Sequence, residues 1–271
     1  MSHVTVGGRR LFHQRRGAGA PLLLIQGMSG THLAWGDPLL SALQRSFDVI
    51  TYDHRGIGRS DPVTDSFSIA DLADDAAGLL DALRLESAHV LGISMGGMVA
   101  QELALRHRER VRTLTLGCTY CGGPQGRLAD EPVLRRLSAA TRSGDRELAI
   151  RTNFEVNMSA AFAAEASNYE PFRAMAMSLP VPLPVVLLQI EAIATHDTSA
   201  RLPGLDVPAL VIHGAEDQMI PVSNGRLIAS LVPGARLEVL DGVGHMFWWE
   251  QPDRTAELVR SLASAPAGAK G

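Results

Sequence analysis

The chain has 271 residues and a formal net charge of −4, with 46 % of residues apolar and 20 % charged. This is ample material for one large packed core and excludes wholesale disorder, while the mild acidic excess argues against a nucleic-acid partner. Two cysteines cannot build a disulfide framework, and no run of about 18 apolar residues exists to cross a bilayer. The greasiest stretch, Leu179–Ile193, is interrupted by Pro180, Pro182, Pro184, Gln189 and Glu191. Met1–Gly8 has no basic-then-apolar pattern, so the expectation is a cytoplasmic protein with reduced thiols and no membrane association.

In chain order, Val4–Val6 and Arg10–Gln14 flank Gly7-Gly8 and predict a hairpin at one sheet edge. Short Leu-rich or β-branched runs follow at Leu22–Ile25, Val49–Tyr52, Val90–Ile93, Leu114–Leu116, Leu210–Ile212 and Leu237–Leu240. Runs of this kind fit strands buried on both faces. Ile69, Leu72, Ala73, Ala76, Leu79, Leu80 and Leu83 share one helical face. Ser68 is placed to cap that helix with Asp71 three residues on, and Phe67 and Leu72 occupy staple positions. Strand–helix alternation implies right-handed crossovers and a largely parallel α/β sheet. The alternation stops over 120–201, which is helix-prone and lacks a clear strand. The reading is a core built from 1–119 and 202–265, a helical insertion at 120–201, and a disordered small-residue tail beginning near Ala263, with 266–271 outside the core.

The strongest local signal is Gly92-Ile93-Ser94-Met95-Gly96-Gly97, which follows a strand run and precedes a helical pattern at Met98–His107. A serine in so sharp a turn presents Oγ at a helix N-terminus, where partial positive charge favours a developing oxyanion. A nucleophilic serine needs a base, and the base an orienting acid. Asp241-Gly242-Val243-Gly244-His245 follows the last strand run, and His213-Gly214-Ala215-Glu216-Asp217 the one before it. His245 is therefore the candidate base, with Asp217, Glu216 and Asp241 competing as its partner. All these groups fall at strand carboxyl ends, where open α/β sheets assemble sites.

Taken with Leu24-Ile25-Gln26-Gly27-Met28 and Tyr52-Asp53-His54-Arg55-Gly56-Ile57-Gly58-Arg59-Ser60, these motifs make the chain resemble the α/β-hydrolase superfamily over almost its whole length. The resemblance implies a mostly parallel eight-stranded sheet with helices on both faces and an inserted helical cap. It also implies Ser94 as nucleophile, His245 as base then acid, Asp217 as orienting carboxylate, and an oxyanion hole from the backbone N–H groups of Met28 and Met95. Gln26 stands where many relatives carry His, which leaves the hole's backbone donors intact and places Gln26 within reach of substrate. Haloalkane dehalogenases and epoxide hydrolases carry Asp at the Ser94 position and are excluded.

Other residues are read as scaffold. His54 and Arg55 belong to a supporting loop, with Asp53 and Arg55 pairing locally. His213 is structural, and His32, His89, His107 and His196 are ordinary. Cys118-x-x-Cys121 runs into Gly122-Gly123-Pro124, which denies it the helix of a redox motif, and no further ligands suit zinc. The pair reads as two reduced, partly buried thiols at the base of the insertion, with no metal and no cofactor required. Met28, Met95, Met219 and Met246 flank the proposed catalytic positions, Met158, Met175 and Met177 fall in the insertion, and Trp35 and Phe247–Trp249 add aromatics. Adaptable thioethers of this kind predict an apolar pocket, here expected to include Gln26, Trp35, Met158, Met175, Met177, Met219 and Met246. The expected function is a serine carboxylesterase acting on a moderately apolar small-molecule ester or lactone. Stretches such as Leu22–Gly27 and Tyr52–Ser60 also resemble enol-lactone hydrolases and polyketide methylesterases. The alternatives are carbon–carbon bond hydrolysis, cofactor-free haloperoxidation or acyl transfer on the same triad, or a non-catalytic hydrolase-like receptor.

Overall fold

The computed structural model describes residues 2–265. Eight strands, β1 (Ser2–Val6), β2 (Arg9–Arg16), β3 (Ala20–Ile25), β4 (Phe47–Tyr52), β5 (Ala88–Ile93), β6 (Val111–Gly117), β7 (Ala209–Gly214) and β8 (Arg236–Leu240), form one sheet in the order β1-β2-β4-β3-β5-β6-β7-β8. The hairpin expected at Gly7-Gly8 is present at the sheet edge, pairing Val6 with Arg9. β2 pairs antiparallel with both β1 and β4, and every other pairing is parallel. Each apolar run read from sequence lies inside one of these strands.

Two layers of helices bury the sheet. On one face lie α2 (Ile69–Ala82), α3 (Met95–Arg106) and α9 (Ser223–Leu231), packed with Leu23, Ile25 and Val90. On the other lie α1 (Asp37–Leu43), the short α10 (Phe247–Glu250) and α11 (Pro252–Ala263), packed with Leu22, Leu24 and Leu91. The split follows the strand's two-residue alternation, which sends neighbours on β3 and β5 to opposite cores. The start of α2 is the capping box anticipated at Ser68 and Asp71. α11 runs to Ala263, so the start of the expected tail is helical; the rest of it, 266–271, lies outside the described residues.

Five α-helices stand between β6 and β7 with no strand among them: α4 (Glu131–Arg142), α5 (Arg146–Asn157), α6 (Ala160–Ala164), α7 (Ala166–Ser178) and α8 (Leu183–Ala194). Ile150, Phe154, Met158 and Phe172 join the core on the α1 and α11 face, whereas Val185 and Ala192 join the α2 and α3 side. The insertion thus straddles the carboxyl edge of the sheet rather than extending either layer. No single helix among the described residues is long and apolar enough to cross a membrane.

One of the two tightest glycine approaches among the described residues is between β3 and the start of α3. A Cβ on Gly96 would sit 2.1 Å from the Ile25 carbonyl oxygen and 2.5 Å from that of Gln26, both backbone atoms that cannot give way. Gly96→Ala is expected to cost about 2–3 kcal/mol through overpacking, read as a thermal midpoint lowered by roughly 5–10 °C. Gly204, whose added Cβ would meet nothing within 4 Å, serves as the control: Gly204→Ala should leave the midpoint within about 2 °C.

Candidate active site

The turn from β5 into α3 puts Ser94 at φ 52°, ψ −124°, a left-handed conformation that a side chain adopts only when its surroundings enforce it. The enforcement is visible. The Ser94 N–H donates to Gly117 O at 2.9 Å, and Ser94 O accepts from the Thr119 hydroxyl at 2.6 Å and from Gly97 N–H at 2.9 Å. Gly92, Gly96 and Gly97 each lack room for a Cβ, against Gly96 O, Ile25 O and the Thr119 side chain respectively. Small residues around Ser94 are therefore a packing requirement.

Opposite Ser94 is the turn after β3. A Cβ on Gly27 would lie 3.0 Å from Ser94 Cβ, so Gly27 lets this turn approach the serine. Gly30 N–H donates to Gly27 O, and the Gln26 side-chain oxygen accepts from Gly27 N–H at 2.8 Å. Ser29 sits at φ 60°, and its N–H donates 2.9 Å to the Gln189 side chain on α8. The insertion and the turn bearing Met28 are thus joined directly.

His245 follows β8. Its Nδ1 donates to Asp217 Oδ2 at 2.7 Å, and both side chains are buried. Asp217 Oδ1 accepts the N–H groups of Met219 and Ile220, each at 2.9 Å. Burial by itself would raise the Asp217 pKa, but His245, His213 and their hydrogen bonds outweigh it and hold the carboxyl down at about 2. Burial likewise opposes the charged form of His245, yet the adjacent Asp217 carboxylate carries its pKa above the ordinary imidazole value. Glu216 and Asp241, the rival acids, are exposed. His213 donates from Nε2 to Ile220 O at 2.7 Å, a bond that shapes the loop holding Asp217.

Ser94 and His245 line one pocket of about 370 Å³ together with Gln26, Met28, Met175, Met219 and Met246. Three expected pocket residues lie elsewhere. Met158 is fully buried in the core beside Phe154, where its backbone closes against Gly244. Met177 is 38 % exposed on α7. Trp35 is fully buried, packs at a tilt against Trp248 with ring centroids 5.9 Å apart, and backs the wall of a neighbouring cavity. Met95 turns its side chain into the α2–α3 core, so its expected contribution concerns the backbone alone.

Four further readings change. Arg55 pairs with Asp75 at 2.7 Å, not with Asp53. Asp53 instead accepts from His32 Nδ1 at 2.9 Å and from the N–H groups of His32 and Arg59, which makes His32 a buried fastening of the turn after β3. Both thiols are fully, not partly, buried, and burial pushes both pKa values up, Cys121 to about 11. Cys118 stands beside the proposed acid and base: its Sγ, a carboxylate oxygen of Asp217 and a ring nitrogen of His245 lie within 4.8 Å of one another. Among the described residues this is the one Cys/His/acid grouping with metal-ligand spacing, and two of its members already bond each other.

Sequence reasoning also missed Asn153, Asn157 and Phe172 on the pocket wall, and Glu250. The Glu250 carboxylate accepts from Gly244 N–H, Ser159 N–H and the Ser159 hydroxyl, while Met246 N–H donates to Asn157 O. It fastens the His245 loop to the insertion between α5 and α6. No one-dimensional spacing marks that role.

The sequence matches the family described as alpha/beta hydrolase fold over residues 20–252, and the chain belongs to that family. It is 32 % identical over 261 residues to a protein of Azorhizobium caulinodans named "Putative carbamate hydrolase RutD", covering 96 % of this chain and 97 % of that one. It is 31 % identical over 282 residues to the 2-hydroxymuconate semialdehyde hydrolase of Pseudomonas sp. strain CF600, covering 98 % and 94 %. Among solved structures, the enol-lactonase from Burkholderia xenovorans LB400 aligns with a TM-score of 0.83 at 27 % identity, covering 97 % of this chain and all of that one.

The lowered Asp217 pKa has a defined sign. Its contribution to stability is complete above the ordinary carboxylate value of 3.8 and is lost as pH falls through about 2. Thermal melts of wild type and Asp217→Asn should therefore differ most near neutrality and converge as pH drops from about 4 towards 2. A gap independent of pH over that range would show that the charge on Asp217 is not what stabilises the fold.

Proposed function

We propose that this hydrolase-fold protein is a serine hydrolase that cleaves a neutral, moderately apolar carboxylic ester or lactone through an acyl-enzyme. The observation that carries the reading is Ser94 held at φ 52° over a pocket it shares with His245, whose Nδ1 is fixed by buried Asp217. Asp217 holds the proton on Nδ1, which leaves Nε2 with the lone pair needed to take the hydroxyl proton from Ser94.

The chemistry follows from that tautomer. Ser94 Oγ attacks the carbonyl carbon as its proton passes to His245 Nε2. The carbonyl oxygen becomes an oxyanion facing the backbone N–H groups of Met28 and Met95 and the positive end of α3. Collapse breaks the bond to the alcohol oxygen, which leaves with the His245 proton. Water then attacks the acyl-enzyme with His245 again as base, and the acid departs as Ser94 recovers its proton. The helical insertion 120–201 acts as a cap, with α5, α7 and the segment before α8 supplying the pocket's outer wall.

Neutral substrates are favoured because, among the described residues, no Lys or Arg lines the pocket; its polar groups are neutral apart from His245 itself. A substrate carrying a carboxylate, of the kind named for the 2-hydroxymuconate semialdehyde hydrolase, would lack a cationic partner there. A carbamate, the substrate class in the name of the Azorhizobium relative, places the same carbonyl before Ser94 and is the second reading, supported by 32 % identity over almost the full chain.

Ser94→Ala should lower kcat on p-nitrophenyl esters by about 10⁴-fold or more with folding retained. A phosphonate inhibitor should label Ser94 covalently in the wild type. Turnover of Ser94→Ala within tenfold of wild type, or a label mapped elsewhere, refutes the assignment. A panel of esters, lactones and aryl carbamates decides between the two readings by the ratio of kcat/KM values. The raised His245 pKa further predicts that kcat/KM climbs with pH to a midpoint above about 6.5, since the neutral imidazole is the working form.

A further inference from the structure

A second cavity of about 520 Å³ adjoins the catalytic pocket. It lies between the turn at His32–Trp35 with α1 on one side and α6 with α7 on the other. The two cavities share two lining residues, Met175 and Trp248. Single elements face both: in the turn, Ala34 borders the catalytic pocket while Leu33 and Trp35 border the second cavity. On α7, Ala176 borders the first while Ala174 and Ser178 border the second.

The two shared residues differ in freedom. Trp248 donates its indole N–H to Ala34 O at 3.0 Å, and Trp249 donates to the same oxygen at 2.8 Å. Trp248 also packs against Trp35 and Phe247, so this side of the partition is fixed. Met175 is half-buried and unbranched, with three rotatable bonds and no hydrogen bond to hold it. Met175 is the movable part of the partition.

Resting on the serine-hydrolase reading above, we propose that the second cavity is a distal acyl subsite, reached from Ser94 past Met175. It receives the apolar chain or ring of an acyl group too long for the catalytic pocket alone. The walls fit that ligand: Phe162, Pro171 and Trp249 present hydrocarbon and ring surface, with Trp35, Leu39 and Leu40 buried directly behind it. Among the described lining residues the ionisable groups are Arg16 and Asp37, which pair with each other at 3.1 Å, and buried His32, which bonds Asp53 through Nδ1 at 2.9 Å, so each already has a partner and none asks for a charged ligand. At about 370 Å³ the catalytic pocket by itself is near the lower limit for small-molecule sites, roughly 300 Å³.

The test compares acetyl (C2) and decanoyl (C10) p-nitrophenyl esters on wild type, Ala174→Trp and Met175→Ala, read as the C10:C2 ratio of kcat/KM. Ala174→Trp fills the distal cavity from a residue that does not line the catalytic pocket, and should lower the ratio at least tenfold, the scale on which pockets discriminate added methylenes. Met175→Ala opens the partition and should raise it severalfold. If Ala174→Trp does not fold, Met175→Ala decides alone. A ratio unmoved by the folded variants overturns the subsite while leaving the esterase reading intact. Labelling of Ser94 by butyl- and decylphosphonates separates the two claims when no ester is turned over. Decyl labelling slowed by Ala174→Trp or hastened by Met175→Ala upholds the subsite and refutes ester hydrolysis, whereas decyl:butyl labelling unmoved by the variants overturns the subsite. No labelling of Ser94 by either reagent overturns both.

Discussion

The whole site depends on one backbone constraint, the turn that carries Ser94 from strand to helix at φ 52°. A non-glycine residue in that region is strained, and the turn persists because neighbours leave no relaxed alternative. β6 accepts the Ser94 N–H, Thr119 caps the Ser94 carbonyl, and β3 presses its carbonyls against Gly96. The same closeness brings the turn after β3 to Ser94 across Gly27, so the proposed nucleophile and the turn bearing Met28 are placed by one packing event. Distances at the centre of the sheet set the geometry at its edge.

The helical insertion is fastened to both halves of that edge. Through Gln189 it holds the turn beside Met28, and through Asn157, Ser159 and Glu250 it holds the loop that presents His245. These attachments are polar and short, whereas the insertion's floor is apolar, with Phe154 and Phe172 joining the core beneath α1 and α11. Displacing the insertion would therefore disturb the turn after β3 and the imidazole loop together. An insertion attached in this way would, as the proposed cap, set the orientation of the proposed reacting groups as well as which substrates reach them.

Electrostatics at the site run from the inside outward. Asp217 is ionised in a buried position because two backbone N–H groups and two histidines offset its desolvation. Its charge then governs the basicity and tautomer of His245. Cys118 adds a neutral thiol at the same place, since burial keeps it protonated. Around this polar centre the pocket is lined by methionines, aromatics and neutral amides, so the proposed hydrolase would choose substrates chiefly by shape.

The sequence alone determined the sheet, the capping box at Ser68 and the position of the elbow, because these rest on local periodicity, on capping chemistry and on glycines beside a serine. It also placed Asp217 and His245 after successive strands, which in a parallel sheet guarantees a common edge. The resemblance already implied Asp217 as the acid, but residue types alone left Glu216 and Asp241 as rivals; only the tertiary structure gave the physical reason, since Asp217 is buried against the imidazole while the other two are exposed. It likewise sent Met158 into the core and Met177 outward, while Met175 stayed in the wall, because the rotation of α7 and the contact of Met158 with Gly244 are set by packing against distant residues. Glu250, Gln189 and Cys118 act across separations of 91, 160 and, by their residue numbers, about a hundred positions, and side-chain pairings of that kind leave no periodic trace in a chain.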